Sequence, residues 1–88
     1  MRIWKWTLIL TGEQTIEIPL AAEILTVQMQ GDNPQLWALC DEHAHKSVRH
    51  IAIYGTGQPM PENPGKYIAT FQLHNGALVF HAFEIYGH

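Results

Sequence analysis

The dipeptide Asn75-Gly76 restricts the fold of this chain more than any other feature of its sequence. Asn and Gly adopt the positive φ angles that both central positions of a type I′ turn require, and such turns join antiparallel strands in two-residue hairpins. The flanking residues 66–74 and 77–84 are rich in Ile, Leu, Val and Phe, which favour strands. We therefore predict a β-hairpin over residues 66–84. Its predicted cross-strand pairs are His74–Ala77, Leu73–Leu78, Gln72–Val79, Phe71–Phe80, Thr70–His81 and Ala69–Ala82.

The two faces of this predicted hairpin differ in character. Side chains alternate between the faces of a strand. One face is apolar and is predicted to belong to the core: Ala69, Phe71, Leu73, Leu78, Phe80 and Ala82. The other face is mixed, and we expect it to contact a ligand or a partner: Thr70, Gln72, His74, Ala77, Val79 and His81.

Five short strands are predicted before the hairpin: residues 2–10, 15–18, 24–30, 35–41 and 47–54. Turns and loops are predicted at residues 11–14, 31–34, 41–46 and 55–65, with a loop or a single helical turn at residues 19–23. In the third strand, Leu25, Val27 and Met29 are predicted to share a face. Short strands separated by frequent turns predict an all-β fold, with about seven mainly antiparallel strands in a small sandwich or partly open barrel. We expect one domain over residues 1–88.

The composition predicts self-association. Hydrophobic residues make up 47% of the 88-residue chain and charged residues only 15%, whereas an average soluble protein has about 25% charged residues. A small monomer with so few charges would leave much apolar surface in water. We therefore expect a homo-oligomer.

Charge and hydropathy exclude two classes of partner. The formal net charge is −3 and the five Lys and Arg residues are scattered, so no basic stripe is available to a nucleic acid. No apolar run approaches the roughly 20 residues of a membrane-spanning helix, so no membrane partner is expected. Cys40 is the only cysteine, which excludes an internal disulfide and favours a reducing, intracellular location.

Six sequence motifs follow one another along nearly the whole chain: IWKW, QTIEIP, AEILTVQ, LWAL, YGTGQP and YIATFQLHNGALVFHAFE. Together they resemble a family of small, uncharacterised proteins carried mostly by bacteriophages and prophages. The resemblance implies a phage accessory protein in the cytoplasm of the infected host. It implies no activity, cofactor or site residue.

The segment Gly55-Thr56-Gly57 is the main candidate for ligand binding. Its two glycines let backbone N–H groups point into a concavity that could hold a phosphate or carboxylate, with the Thr56 hydroxyl as a further donor. It lacks the third glycine and the helix of a dinucleotide-binding motif, and a plain tight turn is the alternative interpretation. The predicted ligand site comprises Gly55, Thr56, Gly57, Gln58, Thr70, Gln72, His81 and Arg49.

Metal and catalytic sites are the weaker alternatives. His43 and His45 lie near Cys40 and Asp41, but zinc needs four well-placed ligands, and a solvated loop explains these residues as well. No nucleophile and orienting carboxylate accompany the remaining histidines in a catalytic pattern. We therefore expect no cofactor, no metal and no enzymatic activity.

Three tryptophans and the cysteine are predicted to be structural. Trp4, Trp6 and Trp37 are expected in the core or in an interface, although one of them could stack on a base or a sugar. Cys40 alternates with Leu36 and Ala38, which predicts a small buried apolar residue and not a nucleophile.

These observations favour a non-catalytic binding module. The leading hypothesis is that it sequesters a small anionic or nucleotide-derived host signal, with Arg49 or Lys66 supplying positive charge. The first alternative is a homo-oligomeric interaction module that binds or inhibits a host protein through aromatic surface residues. The second alternative is a metal-dependent hydrolase that uses histidines.

Overall fold

The computed structural model describes residues 1–10 and 12–86 and confirms the all-β class. Seven antiparallel strands form two sheets that do not close into a barrel. The strands are β1 (Arg2–Thr7), β2 (Gly12–Pro19), β3 (Glu23–Gln30), β4 (Asn33–Cys40), β5 (Lys46–Gly55), β6 (Lys66–Leu73) and β7 (Leu78–Ile85).

The chain crosses between the two sheets three times, after β1, after β2 and after β4. The three-stranded sheet has the order β1-β4-β3, and the four-stranded sheet has the order β2-β5-β7-β6. Two of the connections are hairpins, β3–β4 and β6–β7. At one side of the molecule the edge strands β3 and β6 pack against each other.

The core lies between the sheets and takes side chains from both. Its largest fully buried members are Phe71, Ile18, Leu36, Ile51, Ile53 and Val27. In β4 the predicted alternation is confirmed, because Leu36, Ala38 and Cys40 are all fully buried. Trp6 packs against this core, whereas Trp4 on the same face of β1 remains 39% exposed.

The register of the last hairpin is confirmed from Leu73–Leu78 to Ala69–Ala82. Asn75 and Gly76 have positive φ angles, and the Ala77 amide donates to the His74 carbonyl at 3.1 Å, as a type I′ turn requires. However, His74 also has a positive φ angle and Ala77 is helical, so the strands end one residue earlier on each side. The connection is therefore four residues long. Leu78, predicted on the core face, is exposed.

Several strand ends differ from the predictions. The first strand ends at Thr7 instead of residue 10; the Leu8 amide still donates to the Pro34 carbonyl of β4, and the Leu8 side chain is buried in the core. The predicted turn at residues 11–14 is wrong for residues 12–14, which belong to β2. Thr11 lies outside the described residues. Between β2 and β3, residues 20–22 form a turn in which Ala21 adopts a positive φ angle.

Two β-bulges interrupt the expected alternation. In β3 the register shifts between Ile24 and Thr26, so Leu25 does not share a face with Val27 and Met29 as predicted and is exposed instead. In β6 the register shifts between Tyr67 and Ala69. A bulge inserts one unpaired residue, which moves the residues before it to the opposite face.

Candidate functional site

A chain of four hydrogen-bonded side chains lies on the outer face of the four-stranded sheet. Tyr67 Oη is 2.7 Å from Thr70 Oγ1, and Thr70 Oγ1 is 3.0 Å from His81 Nδ1. His81 Nε2 is 2.7 Å from Thr56 Oγ1, and the Thr56 hydroxyl donates to the Val79 carbonyl at 3.3 Å. The four residues, with this carbonyl as their end point, are called the hydroxyl–histidine chain below.

Three strands position the hydroxyl–histidine chain. Thr70 on β6 and His81 on β7 are directly paired, as predicted. Thr56 follows the last residue of β5, and its amide donates to the Val79 carbonyl at 3.0 Å, which brings its hydroxyl to the imidazole. Tyr67 reaches the same face because the bulge at Ile68 reverses the alternation between residues 67 and 70.

One arrangement of protons satisfies every group of the chain. With the imidazole proton on His81 Nε2, the Thr56 hydroxyl accepts from His81 and donates to the Val79 carbonyl, which only accepts. His81 Nδ1 then accepts from Thr70, and Thr70 accepts from Tyr67. In this tautomer every donor of the chain is used internally, and the Tyr67 oxygen at the open end retains acceptor capacity.

Aromatic rings flank the hydroxyl–histidine chain. The ring of Phe83 contacts Tyr67 edge to face at a centroid distance of 5.6 Å and Tyr54 at 6.1 Å. Tyr54 is largely buried beneath its neighbours, whereas Tyr67 is 54% exposed. The Tyr67 ring thus offers an accessible π surface beside its own hydroxyl.

The predicted phosphate-binding loop uses most of its amide groups within the protein. The Gly55 amide donates to Gln58 Oε1 at 3.0 Å, and the Gln58 amide donates to the Gly55 carbonyl at 3.0 Å. The Thr56 amide donates to β7. Gly57 supplies the positive φ angle that this tight turn needs. Three of the four amides therefore point at internal acceptors, which weakens the case for an anion cradle.

Gln72 belongs to a different concavity from the rest of the predicted site. With Leu73 and His74 of the hairpin it lines an open pocket of about 320 Å³, whose opposite wall contains Met29 and Asp32. The structure thus brings together Thr56, Thr70 and His81 and places Gln72 at the end of the sheet.

Arg49 is not brought to the predicted site. Its Nε and Nη2 both donate to the Glu84 carboxylate, the latter at 2.9 Å, and its Nη1 donates to the Ala22 carbonyl at 3.0 Å. By strand register, Arg49 and Glu84 share the inner face with Ile51 and Ala82, whereas His81 lies on the outer face. The expected contribution of Arg49 to a ligand site with Thr56 and His81 is therefore corrected to a bond within the fold.

This ion pair forms one wall of a pocket of about 290 Å³ that also contains Lys66 and Tyr86. The hydrogen bonds from Arg49 to Glu84 raise the pKa of the guanidinium. Partial removal from water, followed by the nearby Glu84 carboxylate, raises the pKa of Tyr86. The pocket holds charges of both signs, so it has no strong preference for an anion.

The predicted metal-ligand types do not come together. Cys40 is fully buried, and Asp41 accepts a hydrogen bond from the His43 amide at 2.9 Å within a turn. Across residues 1–10 and 12–86, no group of three or more His, Cys, Asp and Glu side chains could hold a metal ion. In the same part of the chain, no helix is long and apolar enough to cross a membrane.

Tyr67 is the site residue that sequence reasoning missed. Strict alternation would place Tyr67 and Thr70 on opposite faces of β6. Only the bulge at Ile68 returns Tyr67 to the face that carries Thr70. Its neighbour Phe83 was likewise not assigned to the site. A Tyr three residues before a predicted site Thr is a weak signal, because nothing in the local sequence specifies the bulge.

Comparison with known proteins identifies a family but no function. A family model described as a domain of unknown function, DUF7352, matches residues 1–87. No curated protein and no solved structure matches the chain significantly.

Proposed function

The chain belongs to this family of unknown function, and we propose that it is a non-catalytic module that binds a host protein through the outer face of its four-stranded sheet. The proposal includes a phage origin and action in the host cytoplasm, as the sequence motifs imply. The observation that carries it is the hydroxyl–histidine chain beside the exposed Tyr67 ring.

The chemistry of this face favours a partner that supplies hydrogen-bond donors. In the tautomer with the proton on His81 Nε2, all donors of the hydroxyl–histidine chain are used internally, and its open end at Tyr67 accepts. On β2, Glu13 and Glu17 are exposed on the same face. An exposed tyrosine ring also attracts Lys and Arg side chains. A protein segment with basic residues and free amides fits these features better than an anion does.

The shape of this face also favours a protein. It is the side of the sheet that points away from the core, and His81, Phe83 and Tyr67 lie side by side on its adjacent strands β7 and β6. The side chains of the hydroxyl–histidine chain hold one another in place, so little conformational entropy is lost on binding. Aromatic residues with preorganised polar neighbours are typical of energetically important interface positions.

Site-specific photo-cross-linking in host cells tests the proposal. A photo-cross-linking amino acid replaces Gln72, which is exposed on this face, or Gln28, the matched position on the three-stranded sheet. We expect a discrete covalent adduct with one host protein from position 72 and not from position 28. The additional substitution Tyr67→Ala should abolish the adduct, whereas Glu23→Ala should not. Equal labelling from both positions would refute the proposal.

A second candidate function is sequestration of a small anionic or nucleotide-derived ligand. It is favoured by the convergence of Thr56, Thr70 and His81, three of the residues predicted for that purpose. Native mass spectrometry of gently purified protein tests it. A stoichiometric small-molecule adduct that is lost in Thr56→Val and His81→Ala, but kept in Gln28→Ala, would establish this function in place of the first.

A further inference from the structure

The edge strand β1 differs from the other three edge strands of the molecule. β3 and β6 each contain a β-bulge and pack against each other, and β2 ends in Pro19 and exposes Glu13 and Glu17. Bulges, prolines and charged side chains are devices that prevent edge strands from pairing with other chains. β1 pairs with β4 in an unbroken register, and its sequence RIWKWT has neither bulge nor proline.

The two cations of β1 do not protect its edge. Lys5 Nζ donates to Gln30 Oε1, which lies on β3, so the lysine reaches back across β4. Arg2 is bound to Glu42, which follows β4. Both side chains therefore point toward their own sheet. Ile3, at 59% exposed, and Trp4 are left as the accessible apolar residues of the edge.

One hydrogen bond just beyond the end of β1 shows which residues of the strand direct their main-chain N–H and C=O groups toward β4. The Leu8 amide donates to the Pro34 carbonyl at 2.9 Å, which continues the register that pairs Thr7 with Gln35. Hydrogen-bonded and non-hydrogen-bonded pairs alternate along an antiparallel ladder. The even residues of β1 therefore bond to β4, and Ile3, Lys5 and Thr7 direct their N–H and C=O groups away from the sheet.

We propose that β1 is a homodimer interface in which two copies of this strand pair antiparallel about a two-fold axis and join the three-stranded sheets into one six-stranded sheet. An isologous contact brings the same surface of both copies together. A two-fold axis perpendicular to the sheet places the inner faces of the two copies on the same side of the joined sheet. Even-numbered residues of β1 therefore pair with even-numbered residues of the partner's β1, and odd-numbered with odd-numbered.

Charge and main-chain direction select the register. With Trp4 opposite the partner's Trp4, Ile3 lies opposite the partner's Lys5, and these outward-directed residues exchange main-chain hydrogen bonds. The two indoles meet at a non-hydrogen-bonded pair, where side chains are closest and aromatic pairs stabilise. A shift by one pair toward Thr7 would place Lys5 opposite the partner's Lys5, which is unfavourable. The opposite shift, with Ile3 facing the partner's Ile3, also avoids opposed cations of β1 but separates the two indoles, so the aromatic pair favours the register with Trp4 opposite the partner's Trp4.

This inference does not depend on the proposed function, because β1 and the hydroxyl–histidine chain lie in different sheets. A dimer through this strand would agree with the expectation from composition that this weakly charged chain associates with itself.

Sedimentation velocity over a range of concentrations tests the interface. Lys5→Pro removes an N–H that points away from β4, and Thr15→Pro is the matched change at the edge of β2. There the Leu20 amide donates to the His45 carbonyl, so the odd residues point outward. We expect the unsubstituted chain and Thr15→Pro to form dimers, and Lys5→Pro to raise the dissociation constant at least tenfold. A monomer at all concentrations, or equal loss in both variants, would overturn the proposal.

Charge substitutions at Ile3 test the register itself. Ile3→Glu would face the partner's Lys5 and should lower the dissociation constant several-fold at low salt, whereas Ile3→Lys should raise it. If Ile3 instead faced the partner's Ile3, both substitutions would weaken the dimer. Neither should change cross-linking from position 72, so failure of the dimer and failure of the proposed function are distinguishable.

Discussion

Two polar networks occupy opposite faces of the same sheet and differ in almost every physical property. The inner network joins Arg49 to Glu84 and to the Ala22 carbonyl, and Glu84 is almost fully buried. The outer network, the hydroxyl–histidine chain, contains no Arg, Lys, Asp or Glu side chain, and its hydrogen bonds are exposed.

This difference assigns stability to the inner network and recognition to the outer network. Buried charges must be paired, because an unpaired charge away from water is very costly. The inner network therefore cannot release Arg49 to a ligand without destabilising the fold. The exposed network can be reached by a partner without removing a buried charge from its counter-ion. The outer network is the one that can bind without unfolding the protein.

The largest expected effect comes from breaking the inner network. Glu84→Ala leaves the partly buried Arg49 guanidinium with the Ala22 carbonyl but without its carboxylate partner, and should lower the free energy of unfolding by about 3 kcal/mol. Urea denaturation measures this, with the exposed Glu17→Ala as the matched control. The double substitution Arg49→Met and Glu84→Met should recover part of the loss. A cost below about 1 kcal/mol for Glu84→Ala would contradict the assignment.

Two glycines with similar backbone angles provide the next comparison. Gly65 has φ +99° and a Cβ there would lie 2.2 Å from the Glu84 carbonyl oxygen, whereas Gly57, with φ +86°, has no atom within 4 Å of that position. Gly57→Ala should cost about 1 kcal/mol for its backbone alone. Gly65→Ala should cost on the order of 3 kcal/mol, since the backbone beside Glu84 must also shift. Equal thermal shifts in both variants would refute this close approach.

The outer network should contribute little to stability. His81→Ala removes two exposed hydrogen bonds, and we expect a change in the free energy of unfolding of less than about 1 kcal/mol. Cross-linking from position 72 should nevertheless be lost. A stability loss above about 2 kcal/mol would mean that this network also supports the fold.

The smallest expected effect is a pH dependence at the margin of the inner network. The pKa of Tyr86 is raised in the folded protein, so the folded state keeps this proton at a higher pH than the unfolded state. Its contribution to stability is complete below about pH 10 and is lost as pH rises through the folded pKa. Tyr86→Phe should make the urea midpoint less dependent on pH above that value. An unchanged profile would contradict the raised pKa.

Local sequence patterns predicted the final hairpin well. Asn75-Gly76 favours a type I′ turn, and the alternation of Phe71 and Phe80 with polar residues leaves one register that buries the apolar face. The pairing of Thr70 with His81 followed directly. Cys40 was predicted as buried for the same reason, since it alternates with apolar residues.

The remaining parts of the site depend on contacts between distant residues. Thr56 meets His81 across 25 positions, and Arg49 meets Glu84 across 35. The residues next to an arginine in the sequence do not show whether it binds a ligand or forms an ion pair within the fold. The local sequence likewise does not predict the bulges at Leu25 and Ile68, and the bulge at Ile68 brings Tyr67 to the site.

The sequence by itself determined the all-β fold class, because the alternation of apolar and polar residues and the turn residues act over a few positions. Each strand therefore carries its own pattern. The tertiary structure decided which strands are neighbours, which face Arg49 occupies and which edge remains open. Those outcomes depend on strand order, which is determined by the packing of both sheets around one core and not by any single segment.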